Sequence, residues 1–540
     1  MAPLPSGHAP HSGRILPVRQ SLLAVLGICF LLMMVAVDQT VVGTALPTVV
    51  ADLKGFELYA WVATSYLLTS VITIPVFGRL GDYYGRKPFV IASIIIFTLG
   101  SMACGLSSSM IQLVIARGVQ GVGGGMLIGT AFACVPDLFP EPRTRLRWAV
   151  LLSSSFGIAN AFGPTLGGFL TQYAGWRSVF FVNLPFGLIS LYFVVRYLPH
   201  IRHIQGTRIR LDWPGALLIA LVLVSLQLFV GRITRQGPDL QVLLLALACV
   251  GLLIALVKWE RYFPQPVLPP EIFRHKGLVA LFFLSFFTGF MMFGLLYFLP
   301  LLLQGGFGLD PQQVGMLITP MVVCITVGSL INARIVILLS RPNWILYAGF
   351  ACLTSAATGF ILIDVTTPRS IVFAVMMLGG IGLGFIMPNL TIFVQELAGR
   401  TLLGISTAVL QSFRMIGGML GTTIVGALVA QYYMSQVIKA VPEGQGTDWQ
   451  ALLQDPQMLV SQENQSAFAA HLQRFDLHVD HFIEVARSVL VTAIHVGFLT
   501  LVIVGLVALV WVYRVPLITL TRTASQPDTK ETAAKEGASL

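Results

Sequence analysis

From residue 21 onward the chain is built of long apolar blocks separated by short polar stretches, without the two-residue alternation of a half-buried strand. The blocks run about 20 residues each, the length of helix that crosses about 30 Å of hydrocarbon. They predict spans near 21–45, 58–77, 89–107, 110–135, 148–170, 178–198, 213–232, 240–258, 277–303, 311–333, 344–364, 370–395, 402–432 and 489–513, fourteen in all. The expected class is an all-α integral membrane protein. One long polar loop, 433–488, is expected on the outside, and the tails 1–20 and 516–540 read as disordered and cytoplasmic.

Composition agrees. The 540 residues are 56% hydrophobic and 10% charged, against about a quarter charged in soluble proteins, which argues against a soluble enzyme. The formal charge of +10 needs no nucleic-acid partner, because membrane proteins collect Lys and Arg in cytoplasmic loops. Arg79, Arg86 and Lys87 fall in one such loop, Arg143, Arg145 and Arg147 in the next, and Arg196, Arg202, Arg208 and Arg210 in the third. An even span count puts both ends inside. The six cysteines lie in apolar blocks with no CxxC pair, so they read as small core hydrophobes. The first apolar block is too long for a signal-peptide core and reads as a retained span.

Against that background Asp38 stands out. It follows the apolar run Leu22–Val37, and it is the one carboxylate well inside an expected span. Charge at membrane depth is costly, so such an acid is a functional hypothesis by default. Arg117 and Arg414 are the basic residues inside apolar blocks. Arg117 is expected to pair with an intramembrane acid rather than snorkel to the surface.

Three motifs follow. GRLGDYYGRK, residues 78–87, lies between spans two and three; Gly78, Gly81 and Gly85 allow a tight turn, and Asp82, Arg86 and Lys87 form a charged cluster. IARGVQGVGGGMLIG, residues 115–129, places Arg117, Gln120, Gly121 and Gly124 on one helix face, with Gly121, Gly125 and Gly129 as a close-packing seam. FGIANAFGPTLGG, residues 156–168, carries Gly157, Gly163, Pro164, Gly167 and Gly168; the Gly163-Pro164 pair is expected to kink the helix, and Gly163 and Gly167 form another seam.

Together these motifs resemble the major facilitator superfamily. VDQTVVGTALP, WRSVFFVNLPFG (176–187), GLGFIMPNLTIFVQ and FRMIGGMLG resemble its fourteen-span drug:proton antiporter branch, the EmrB/QacA type. The resemblance implies two six-helix bundles around a midplane cavity, here 21–198 and 277–515, with two inserted helices in 199–276. Gly-rich MLGGIGLGF would be the second-half counterpart of span four. NARIVILLSRPN sits where the inner-loop signature would repeat, without its Asp or glycines.

The resemblance also implies a function: a proton-coupled exporter of lipophilic or cationic drugs in a bacterial plasma membrane, not an enzyme. Protons are the coupling ion, and no metal or other cofactor is expected. Desolvation and a nearby cation shift a carboxyl in opposite directions, so Asp38 beside Arg117 could titrate near working pH. Expected cavity residues are Trp61, Tyr66, Phe156, Asn160, Phe287, Met291, Tyr297, Asn389, Gln411 and Arg414, which offer aromatic, thioether and amide walls. His471, Asp476, His478, Asp480, His481 and Glu484 have no regular metal-ligand spacing, and His495 reads as a buried neutral imidazole.

Expected partners are the bilayer, a small-molecule substrate and, for some of the branch, a periplasmic adaptor that could dock on 433–488. No P-loop occurs, which disfavours an ATPase on this chain, and no filter motif points to a channel. Export of one specific metabolite or siderophore, or sensing without transport, are the rival readings.

Overall fold

The computed structural model describes residues 18–131, 134, 138–139, 142–200, 212–264, 266–336, 338–339, 341–440, 459–460 and 479–517. Among them all regular structure is helical. The long helices are α1 (Val18–Leu53), α2 (Tyr59–Tyr84), α3 (Arg86–Gly105), α4 (Met110–Ala131), α5 (Pro142–Tyr173), α6 (Asn183–Tyr197), α7 (Trp213–Gln236) and α8 (Leu240–Tyr262). They continue with α9 (Lys276–Leu301), α10 (Pro311–Ile335), α11 (Trp344–Leu362), α12 (Arg369–Gly399), α13 (Leu402–Val437) and α14 (Val479–Trp511). Thirteen stretches are long and apolar enough to cross a membrane. The remaining helix, α5, is lowered in hydropathy by its Gly, Ser, Asn and Thr residues, and it packs against α1 and α10.

Missing side chains set the packing. In α4, a Cβ on Gly121, Gly125 or Gly129 would collide with Tyr66, Ser70, Thr73 or Ile74 of α2, while Gly123 faces Phe97 of α3. The same arrangement recurs in α12, where Gly380 and Gly384 press on α10 and Gly382 on α11. In α5, Gly163 and Gly167 admit Thr40 and Thr44 of α1; in α13, Gly417 and Gly421 admit Phe286 and Phe290 of α9. Each half therefore repeats one packing scheme, which matches the likeness of the two glycine-rich segments. Small residues let backbones approach where no hydrophobic force drives helices together in lipid.

Helices α7 and α8 pack on each other, and α7 also touches α2 and α13. Only 11% of the α8 apolar window is buried, against 72% for α9, so this pair is peripheral and lipid-facing. Its polar residues serve as caps: Asp212 accepts from Gly215 N at 2.8 Å and Trp259 Nε1 at 2.7 Å, and Asp239 accepts from Val242 N at 2.7 Å.

The hydrogen bonds that join the halves gather at the end away from residues 18 and 517. Tyr59 donates to Tyr297 O at 2.6 Å, Gln304 to Thr44 O at 2.7 Å, and Thr48 to Gln304 Oε1 at 3.1 Å. Thr64 meets Thr422 at 3.2 Å, and Thr165 meets Thr319 at 2.6 Å. Gly168 lies against the Pro311 carbonyl and Gly315 against that of Pro164, so α5 and α10 touch backbone to backbone.

Some expected boundaries move. The 78–87 motif is not a loop: α2 runs through Tyr84, and α3 starts at Arg86 after the single break at Gly85, whose φ of 89° favours glycine. The expected loop 433–488 is helical at both ends, because α13 extends outward and α14 begins at Val479. The helical trace of α5 continues through Pro164.

The seams make a stability prediction. A Cβ on Gly129 would lie 2.6 Å from Ile74 O, whereas one on Gly251 in α8 meets nothing within 4 Å. Gly129→Val is expected to destabilise the detergent-solubilised protein by about 1–3 kcal/mol or more, as overpacking does. Gly251→Ala is expected to hold or gain up to about 1 kcal/mol. Thermal unfolding of both variants checks this.

Candidate functional site

Asp38 lies more than halfway along α1 and, with Arg117, is fully excluded from the surface. Its Oδ2 accepts from Arg117 Nη1 at 2.8 Å. Its Oδ1 accepts from Gln120 Nε2 at 2.7 Å and from Asn183 Nδ2 at 3.1 Å. Arg117 and Gln120 sit three residues apart on α4, so one helix face supplies two donors. Asn183 opens α6 and is held by Ser101 Oγ of α3 at 2.9 Å. One carboxylate thus ties together helices α1, α4 and α6, with α3 as support.

Arg117 is held from several sides. Its Nη1 also donates to Gln120 Oε1 at 2.7 Å, and its Nε to Val62 O of α2 at 3.4 Å. The guanidinium carbon lies 4.5 Å from the centre of the Tyr66 ring, a cation–π contact. Tyr297, from α9 in the other half, lies within electrostatic reach of both Arg117 and Asp38. This shell is an acid whose donors are already fixed, and the other half of the molecule abuts it.

The expected residues divide. Asp38, Arg117, Gln120, Tyr66 and Tyr297 come together. Gly121 packs beside Tyr66. Gly157 faces Thr326 of α10, and Gly163, Pro164, Gly167 and Gly168 form the wedge between α1 and α10. In the 78–87 motif, Lys87 Nζ donates to Val195 O of α6 at 2.8 Å, Gly81 lies against Arg86, and Gly78 lies near Gly129 O. The side chains of Asp82 and Phe156 lie outside the described residues.

Other expected cavity residues go elsewhere. Phe287 packs with Phe286 and Trp511. Met291 is buried in α9 beside Gly505. Asn389 donates to Asn332 Oδ1 at 2.7 Å, an amide pair at the start of the 332–343 segment where the inner-loop signature would repeat. Trp61, Asn160, Gln411 and Arg414 stay partly exposed. His495 takes no part in the Asp38 shell. Residues 471–478 and the side chains of Asp480 and His481 lie outside the description, and among the described residues no three metal-ligating groups converge.

Asn183 and Ser101 were not anticipated. An amide and a hydroxyl in apolar blocks carry no charge signal; the available clue was Asn183 inside the WRSVFFVNLPFG motif. The same motif anchors the far end, where Trp176 Nε1 donates to Asp52 Oδ2 at 2.9 Å and Arg177 to the same oxygen at 3.2 Å.

Fold and site together define a multi-pass membrane transporter. The chain belongs to the Major Facilitator Superfamily, whose family model matches residues 28–422. It is 30% identical to the multidrug transporter protein MdtP of Bacillus subtilis over 533 residues, covering 95% of this chain and 96% of that one. It is 31% identical to multidrug resistance protein 3 of the same organism, covering 76% and 80%. Among solved structures, a bacterial homolog of the human lysosomal transporter Spinster, inward-facing and occupied, has the same fold. Its TM-score is 0.64 at 14% identity, with 92% of this chain and 96% of that one covered.

The ion pair makes a second prediction. Removing one partner of a buried pair leaves an uncompensated charge, at about 3–5 kcal/mol. Arg117→Met is expected to lower stability by that order. Adding Asp38→Asn to it should recover most of the loss, and a double-mutant thermal-denaturation cycle measures the coupling.

Proposed function

We propose that the protein is a proton-coupled antiporter of the fourteen-span drug:proton branch, exporting lipophilic drug-like compounds by alternating access. The observation that carries this reading is Asp38: a carboxylate at mid-helix, shut from solvent and paired with Arg117 where the other half approaches. Fourteen long helices, the antiporter-type wedge in α5 and likeness to multidrug transporters support the branch. The Lys and Arg bias supports an orientation with both termini cytoplasmic, and the reading places the protein in a bacterial plasma membrane. The end that carries the cross-half bonds is then the outer one, closed in this conformation.

The coupling runs through the pair. Protonating Asp38 removes the charge that compensates Arg117, and a buried cation without a counter-ion favours a different arrangement of its neighbours. Tyr66 and Tyr297 are those neighbours, one on each side of the interface. A proton can drive the change only if the two conformations bind it with different affinity. The available force is adequate: about 2.3 kcal/mol per proton for each 100 mV, and about 1.4 kcal/mol for each pH unit. The second half of the earlier expectation, cationic compounds, finds no unpaired carboxylate at mid-membrane among the described residues.

Proteoliposomes with an imposed pH gradient test the reading. Neutral lipophilic drugs, lipophilic cations and candidate metabolites are added in turn to wild type and Asp38→Asn. Substrate-dependent collapse of the gradient in wild type, lost in the variant, is the expected result. Collapse that persists in Asp38→Asn removes Asp38 from the coupling. No collapse with any compound class argues against antiport.

A further inference from the structure

Two arginines sit inside spanning helices, and they are treated very differently. Arg117 has a carboxylate, an amide, a carbonyl and an aromatic face around it. Arg414, in α13, has none of these: among the described residues it makes no ion pair and no hydrogen bond. Acids of the second half lie at helix ends, with Asp310 just before α10, Asp364 after α11 and Glu396 near the close of α12. A cation at membrane depth is costly and is retained with a partner or a function.

Its surroundings suit a ligand. Gln411, one turn earlier on α13, makes no hydrogen bond either, and its Oε1 is buried without a partner. Residues three apart share a helix face. On the neighbouring face Phe413 stacks on Phe282 of α9, and Gly289 lets α9 approach the Arg414 backbone directly, so α9 does not supply a partner. Two turns further along, Thr422 and Thr423 close α13 onto Thr64 of α2. Eight residues of helix put Arg414 about 12 Å from that seal, toward the end of the molecule that carries residues 18 and 517. Arg117, by contrast, bonds Val62 at the level of the seal.

We propose that Arg414 and Gln411 form a subsite for an acidic group, a carboxylate or sulfonate, on an otherwise lipophilic substrate. The guanidinium offers a planar fork of N–H donors that matches such an anion, and the Gln411 amide adds one more. The proposal rests on the exporter reading and narrows its substrate class to amphipathic acids. Among the described residues the charge of Arg117 is compensated by Asp38 and that of Arg414 is not, so a cationic group beside Arg414 meets repulsion. The acid-binding and proton-binding positions are distinct, so the substrate does not need to displace Arg117 from Asp38.

Binding of three probes of matched shape tests this: naphthylbutanoate, naphthylbutanamide and naphthylbutyl-trimethylammonium. Each is titrated calorimetrically into the full-length detergent-solubilised protein, as wild type, Arg414→Gln and Arg414→Lys. The expected order in wild type is butanoate first, by roughly ten-fold or more over the ammonium. Arg414→Gln should bring the butanoate within about two-fold of the amide, and Arg414→Lys, which keeps the charge, should preserve the order. If butanoate is not the tightest probe in wild type, or if its lead over the amide survives Arg414→Gln, the subsite is overturned. The assay uses no proton gradient, so its failure leaves antiport standing, and failure of the gradient assay leaves this result intact.

Discussion

The structure turns on one buried ion pair. In a medium of low dielectric, Asp38 and Arg117 attract strongly, but each has given up its hydration to be there. The arrangement is helped by Gln120 and Asn183, which fill the other acceptor positions, and by Tyr66 and Val62 beside the guanidinium, whose Nη2 has no hydrogen-bond partner. Three helices of the first half meet at this point. Any event that changes the charge of Asp38 therefore acts on the relative placement of all three at once.

The glycine seams make such an event transmissible. Where α4 lies on α2, and α5 on α1, backbones touch with no side chain to deform between them. Close-packed interfaces of this kind shift as units rather than yield locally. The second half repeats the scheme in α12 on α10 and α13 on α9. What it does not repeat is the chemistry: a neutral amide pair, Asn332–Asn389, lies within it, and among the described residues its intramembrane arginine has no acid.

Much of this was legible in the sequence, for identifiable reasons. Block length fixed the helix count, because lipid leaves the chain few ways to satisfy its backbone. Asp38 was found by scarcity, and Arg117 by the same test. The periodic glycines of 121–129 announced a seam that the structure places against α2. Asn183 and Ser101 escaped because neutral polar groups do not interrupt an apolar block. The 78–87 motif looked like a loop because three glycines and four charges read as a turn, yet only Gly85 leaves helical geometry. The partners of Phe287, Met291 and Asn389 were not legible, since an aromatic, a thioether or an amide in a span carries no mark of which neighbour it will meet.

The position of α7 gives the molecule a front and a back. Gln227 donates to Thr423 at 2.5 Å, at the place where Thr423 also meets Thr64. The inserted helix thus lies over the line where α2 and α13 join, while among the described residues neither inserted helix packs along the line between α5 and α10. A hydrophobic molecule dissolved in the bilayer meets two unlike flanks: one shielded by an extra layer of protein, the other a bare contact between glycines and threonines. The two flanks thus differ in how much protein stands between the bilayer and the line where the halves meet.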